Sequence, residues 1–431
     1  LQRLKVSGNG RFLVRADGSP FFWLGDTAWE LFHKLSREDA GLYLKQRAGL
    51  GFNVVQAVAL AELDGLTEPN AYGRLPLKLG GGGLPDPAMP DEEGPYSYWD
   101  HVDYIVDKAA ELGLHVALLP TWGDKFNPMW GRGPAVFTPG NARVYGEWIG
   151  RRYRSRENIV WVMGGDRPLL EMEHFAVVRA MAEGIRDACG DSHLITFHPA
   201  GGSSSSRHVH RERWLDFNMV QSSHGDDAPV NYKWIRDDYA LSPVKPTFDG
   251  EPCYEDIPRG FNAANGYFDA ADARRAAYYN VFSGGFGHTY GHHSVWSMST
   301  KADDNFIMHW KDALERPGAA QMRHLRTLAE SRPMLERIPD QSLIVRNGEG
   351  DNYMVAARGE RYAFIYFPNG VKAGIRLGVM PGNRVTFFWF DPRTGRSTEP
   401  ETADNNGHRS FAPPSAGRGN DWVLVMDACE L

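Results

Sequence analysis

Eight short apolar runs recur along the first three quarters of the chain, each closed by glycine or a polar residue: Phe21–Leu24, Asn53–Val58, His115–Leu119, Ile159–Met163, Leu194–Phe197, Phe217–Val220, Pro246–Phe248 and Phe286–Tyr290. Between them lie stretches with helical signals. Ser36 and Asp39 resemble a capping box, opening a helix that Gly51 closes. Tyr98, Val102, Ile105, Ala109 and Leu112 share one face of a helix over Tyr96–Leu112. Further helices are predicted over Asn141–Tyr153, Glu171–Ala188, Tyr232–Leu241, Asp269–Phe282 and Gly318–Ser331. Eight strands alternating with helices predict a parallel (β/α)8 TIM barrel in the α/β class, rather than an open sheet. A hairpin, Leu4–Val6 with Arg11–Arg15, precedes it. Past Pro339 the runs are short strands separated by Gly, Pro and Asn turns: Leu343–Val345, Tyr353–Ala356, Tyr362–Tyr366, Ala373–Leu377, Val385–Phe390 and Trp422–Met426. This predicts two domains, a barrel with its hairpin over residues 1–338 and an antiparallel β-sandwich over 339–431.

In a barrel of this kind, residues at the carboxyl ends of the strands face one mouth whatever their separation in sequence. That rule gathers Asp26, Gln56, Trp122, Asp124, Asp166, His198, Gln221, Glu251, His288 and Tyr290. Asp166 follows strand four through Gly164-Gly165, and Glu251 follows strand seven through Asp249-Gly250, so two carboxyls face each other across the mouth. Glycoside hydrolysis needs one protonated carboxyl to assist the leaving oxygen and one carboxylate to attack the anomeric carbon or activate water. The pair Asp166 and Glu251 meets that positional requirement. Aromatics make up 12% of the chain, with 13 Trp and 17 Tyr, many in predicted loops where sugar faces could stack. Asp26, Asp124 and His198 can take sugar hydroxyls or bond neighbouring backbone. Gln56, Trp122, Gln221, His288 and Tyr290 complete the expected substrate-binding set. Glu62 and Asp64 open a long loop, Glu62 to Pro95, where they can line the entrance or stand solvated.

The stretches FFWLGDTAWELF (Phe21–Phe32), VVQAVALAELDGL (Val54–Leu66), LLPTWGDK (Leu118–Lys125), WVMGGDR (Trp161–Arg167), TFHPAGGSSSS (Thr196–Ser206), DGEPCYE (Asp249–Glu255), GGFGHTYGHHSVW (Gly284–Trp296) and PGAAQM (Pro317–Met322) resemble glycoside hydrolase family 140. The resemblance covers nearly the whole chain, and departs mainly in loops such as Lys78–Pro90. It implies an apiosidase acting on apiose side chains of the pectin rhamnogalacturonan II. It also implies a retaining mechanism with Asp166 as acid/base and Glu251 as nucleophile, the carboxyls about 5–5.5 Å apart. An Asp after two glycines stands where related retaining barrels carry Asn-Glu. Asp is one methylene shorter, so its backbone must approach the leaving oxygen more closely, as Gly164-Gly165 permits. Two alternatives stay open: a β-glycosidase for another furanose or pectic sugar, and a non-catalytic glycan-binding protein.

The remaining signals narrow the field. A net charge of -7 argues against nucleic-acid or anionic-membrane partners, and no apolar run is long enough to span a membrane. The partner implied is an oligosaccharide or polysaccharide, and no cofactor is implied. Cys189, Cys253 and Cys429 lie too far apart for a thiolate metal site or a disulfide framework. His288, His292 and His293 lack a carboxylate at metal-ligand spacing, so no metal is expected. The Gly80–Gly83 run lacks a preceding strand for a phosphate loop, and Ser203–Ser206 lacks a nucleophile elbow. The start at Leu1 rather than Met suggests trimming of a tag or of a signal segment, which leaves the location open, with periplasmic or secreted slightly favoured over cytoplasmic. Oligomeric state is not legible in the sequence.

Overall fold

The computed structural model describes residues 1–225 and 229–429. Eight barrel strands follow in chain order: Trp23–Thr27, Val54–Leu60, His115–Thr121, Ile159–Gly164, Ile195–His198, Asn218–Gln221, Thr247–Asp249 and Gly287–Tyr290. Every residue of strands two, three and four is buried, because helices cover one face and the barrel interior the other. Four of the helices start on side-chain caps. Ser36 accepts from the Asp39 N–H ahead of Arg37–Gly49, and full capping boxes open Tyr98–Glu111 (Ser97 with Asp100), Pro139–Tyr153 (Thr138 with Asn141) and Ala270–Phe282 (Asp269 with Asp272).

The hydrogen-bonded ladder is not continuous around the barrel. Strands five, four, three, two, one and eight form one six-stranded parallel sheet in that order, while six and seven pair with each other and with the short segment Ser203–Ser204. Strand five still lies against six, and seven against eight. At these two seams single backbone bonds hold, Asp216 N–H to Ile195 O at 2.8 Å and Phe286 N–H to Thr247 O at 3.0 Å. Aromatic side chains fill the interior beside them. Trp23 lies 5.2 Å from Phe248 and Phe217 lies 5.4 Å from Phe286, centroid to centroid, in one fully buried cluster. At the seam between strands five and six, side chains add the missing bonds, Asp216 Oδ2 accepting from the Ile195 N–H and the Thr196 hydroxyl donating to the Phe217 carbonyl, both at 2.7 Å.

Two expectations change. The run expected as strand one divides, with Pro20–Phe21 pairing to the hairpin strand Leu13–Arg15 and Trp23–Thr27 entering the barrel. Asp26 is therefore inside a strand rather than in the loop after it. The segment Leu343–Val345 forms a helical turn, Gln341–Leu343, and a single bridge from Ile344 to Ile375 instead of a strand. The C-terminal unit is a six-stranded antiparallel sheet ordered Ile338–Pro339, Val355–Arg358, Tyr362–Phe367, Trp422–Ala428, Arg384–Phe390, Glu401–Asp404. Against it lies the pair Ala373–Arg376 and His408–Phe411, with Ile365, Phe387, Leu424 and Phe411 in the shared core.

The outer face of that sheet joins the barrel's own core through the helix Ala270–Phe282. Tyr278 stacks on Tyr366 at 4.9 Å and Phe282 on Phe364 at 5.5 Å. Arg274 and Asp421, both almost fully buried, form an ion pair at 2.6 Å across the same contact.

Candidate active site

Barrel strand four ends in a turn that only a sequence of this kind can make. Gly164, Gly165 and Asp166 have φ of 85°, 122° and 51°, three successive residues in the region that disfavours side chains. A Cβ on Gly164 would stand 2.5 Å from the His198 carbonyl, and one on Gly165 would stand 2.8 Å from the Gly123 N–H nitrogen. Asp is among the non-glycine residues that tolerate this conformation best. The turn delivers the Asp166 carboxyl to the mouth, where about a quarter of its side chain is exposed. Gln221 Nε2–H donates to Oδ1 at 3.0 Å; Trp130 Nε1–H donates to Oδ2 at 3.1 Å and Arg167 at 3.0 Å. Burial pushes the Asp166 carboxyl above its usual range and the Glu251 charge pushes it further, against His198, Arg167 and Trp130 pulling down.

Glu251 leaves strand seven at the facing side of the mouth and is 5% exposed. Two histidines address its two oxygens. His224 Nδ1 lies 3.4 Å from the Tyr254 backbone N–H nitrogen, and its Nε2 lies 3.2 Å from Glu251 Oε1. His198 Nδ1 accepts from the Asp166 backbone N–H at 3.1 Å, and its Nε2 lies 2.7 Å from Oε2, in a short contact bent away from an ideal hydrogen bond. In each ring a backbone N–H occupies Nδ1, so the proton sits on Nε2 and faces the carboxylate. Burial alone would raise the Glu251 carboxyl. The Nε2–H groups of His198 and His224 outweigh it and bring it down to about 2. The two carboxyls are thus driven apart, Asp166 towards its proton and Glu251 towards ionisation.

Both open onto a cavity of about 670 Å³, within the usual range for small-ligand sites. Of the residues expected there, Trp122, Asp166, Gln221 and Glu251 line it, and His198 lies beneath, against Glu251. The others are buried outside it. Asp26 points to the helix layer, where Arg47 Nε and the Tyr43 hydroxyl reach its Oδ2 at 2.7 and 2.6 Å. Gln56 lies one layer below, donating to the Gly250 carbonyl at 2.9 Å. Asp124 pairs with Lys125 and accepts from the Arg132 and Gly133 N–H groups. His288 meets Asn280 at 3.0 Å, and the Tyr290 hydroxyl donates to Glu255 at 2.6 Å. These five positions sit within strands or tight turns whose own polar groups consume them.

Cavity residues that the strand-end rule passes over come from loops: Trp29, Trp130, His224, Tyr254, Phe261 and Phe306. Trp29 and Tyr254 lie in quoted motifs and bond each other, indole N–H to hydroxyl, at 3.1 Å. His224 follows Gln221 by three residues, a signal that was available. Nothing in the sequence marks Phe306. Among the described residues no group of three or more His, Cys, Asp or Glu side chains is arranged to hold a metal ion.

A TIM-like barrel with two carboxyls set against each other at the ends of strands four and seven, in an aromatic-lined cavity, is the architecture of a glycoside hydrolase. Residues 7–336 match the family model described as "Apiosidase-like, catalytic domain", and residues 338–427 match that of a "Putative collagen-binding domain of a collagenase". The chain belongs to the apiosidase-like family and is a glycosidase. A solved glycoside hydrolase family 5 protein from Bacteroides vulgatus is 33% identical, with a TM-score of 0.90 over 99% of this chain and 93% of its own. Another solved chain, described as a glycoside hydrolase, is 33% identical with a TM-score of 0.90 over 99% and 97%. A GH27 β-L-arabinopyranosidase from Geobacillus stearothermophilus, 9% identical with a TM-score of 0.52 over 95% and 96%, shares the fold alone. No curated protein matches the chain.

Proposed function

We propose that this chain is a retaining exo-glycosidase that removes terminal apiose from side chains of the pectin rhamnogalacturonan II. What carries the mechanism is the placing of the two carboxyls at facing ends of strands four and seven in one cavity, Asp166 pushed up by burial and the Glu251 charge and Glu251 brought down to about 2 by two imidazoles. Glu251 attacks the anomeric carbon as Asp166 gives its proton to the glycosidic oxygen. The leaving group departs as an alcohol, and the sugar is held as an ester of Glu251. Asp166, now ionised, takes a proton from water, whose oxygen attacks the same carbon and releases the carboxylate. His198 and His224 offset the charge that returns to Glu251 in the second step. The apiose assignment rests on the family and on the stretches that resemble family 140. The C-terminal sheets serve as a support for the helix Ala270–Phe282 behind strands seven and eight, through the buried contact already described.

The test is release of free sugar from rhamnogalacturonan II fragments by the wild type and Glu251→Gln, with the first-formed anomer followed by NMR. Apiose released by the wild type alone, with its configuration kept at first appearance, is the expected result. Another sugar released would overturn the substrate, an inverted first product would overturn the retaining mechanism, and glycan bound but never cleaved would favour a binding protein.

A further inference from the structure

One cavity carboxyl has no role in the mechanism above. Glu62 follows barrel strand two and lines the cavity beside Trp29, Trp122 and Asp166. Its backbone is anchored on both sides, before it by the Leu60 carbonyl, which accepts from the Trp122 N–H at 3.0 Å, and after it by the next two residues. The Leu63 N–H donates to Glu30 Oε1 at 3.2 Å, Glu30 Oε2 meets His33 at 2.7 Å, and Asp64 pairs with Arg132 at 2.6 Å. Glu30 is itself fully buried, so this anchor is part of the scaffold. Yet among the described residues the Glu62 side chain has no hydrogen-bond or ion-pair partner. A carboxyl held at the wall of a cavity by a fixed loop, with its own oxygens unspent, is left for a ligand.

Its position says which part of the ligand. In the six-stranded sheet, strand two lies two places from strand four, which carries Asp166, whereas Glu251 leaves the separate pair of strands across the seams. Glu62 therefore stands on the acid/base side, where the departing half of the substrate lies. We infer that Glu62 hydrogen-bonds hydroxyls of the leaving-group sugar and so selects a glycosyl leaving group over a simple alcohol or phenol. This rests on the glycosidase reading. Burial pushes the Glu62 carboxyl well up, with Glu30 and Asp166 pressing the same way, Arg167 opposing and Asp124 adding to the rise. A carboxyl on the cavity wall accepts from a sugar hydroxyl through either oxygen, and in its protonated form also donates to one.

The experiment compares nitrophenyl β-apioside with an apiosyl disaccharide, for the wild type, Glu62→Ala and Glu62→Gln. If the release assay identifies another glycone, both probes carry that sugar instead. For Glu62→Ala, kcat/KM on the disaccharide should fall about tenfold or more beyond its fall on the aryl glycoside, with Gln recovering part of the difference because it also offers a donor and an acceptor. Equal falls on both probes would overturn the inference and leave the glycosidase reading intact. A wild type inert on both probes and on all other glycosides tried would overturn the glycosidase reading and this inference with it.

Discussion

At the scale of single residues, His198 is the side chain on which most depends. Its Nδ1 takes the backbone N–H of Asp166 and its Nε2 faces Glu251, so one ring fixes the loop of the acid and the charge of the nucleophile. His198 lowers the proton affinity of both carboxyls. Glu251 must be ionised for attack, so its titration sets the acid limb of kcat/KM, and Asp166 must be protonated, so its titration sets the alkaline limb. In His198→Ala both limbs should move to higher pH, the acid limb further, because Glu251 loses the imidazole N–H that faces it at 2.7 Å; a kcat/KM profile reads both. Limbs that stay in place would show that the imidazole does not hold Glu251 down. Asp166→Ala should lose on the order of 100-fold or more on a sugar leaving group and much less on a nitrophenyl one, since a good leaving group needs no proton. Glu251→Ala supplied with azide should yield a glycosyl azide of inverted configuration, which only a nucleophile's vacancy explains.

At the scale of elements, the turn after strand four shows how far a sequence can be read. Gly164-Gly165 before an acid signals a backbone that must bend sharply, and the three positive φ values bear that out. Gly164→Ala would place a methyl 2.5 Å from the His198 carbonyl in a conformation that penalises side chains. It should cost on the order of 2–4 kcal/mol, read as a lower urea midpoint, and should displace Asp166 enough to reduce turnover. An unchanged midpoint would mean that the turn relaxes freely. The strands and capped helices were legible because apolar runs and capping residues are local. What was not legible depends on register and distance. The run Phe21–Leu24 hides a change of partner at Phe22, so Asp26 seemed to lie past a strand that in fact contains it. Glu401–Asp404 and residues 408–410 are mostly exposed, with Phe411 the one buried residue of the second strand, so neither carries an alternation to detect. Loop residues such as Trp130 and Phe306 reach the cavity only through the tertiary fold.

At the scale of the whole molecule, the C-terminal sheets are bonded to the barrel through buried contacts rather than hung from it. Asp421→Ala would strand the Arg274 guanidinium, 4% exposed at the side chain, and should cost about 3–5 kcal/mol in denaturant melts. Replacing Arg274 and Asp421 together by apolar residues should cost less, since no buried charge is then left unpaired. The two seams in the ladder have a different consequence. Asp166 rides on the six-stranded sheet and Glu251 on the three-stranded one, with one backbone bond between neighbouring strands at each join. The gap between the carboxyls, which decides the stereochemistry of glycoside hydrolysis, is thereby governed like the opening of a calliper. Phe217 of one jaw meets Phe286 of the other at 5.4 Å between ring centroids, so Phe286→Leu should alter turnover although neither jaw tip is changed.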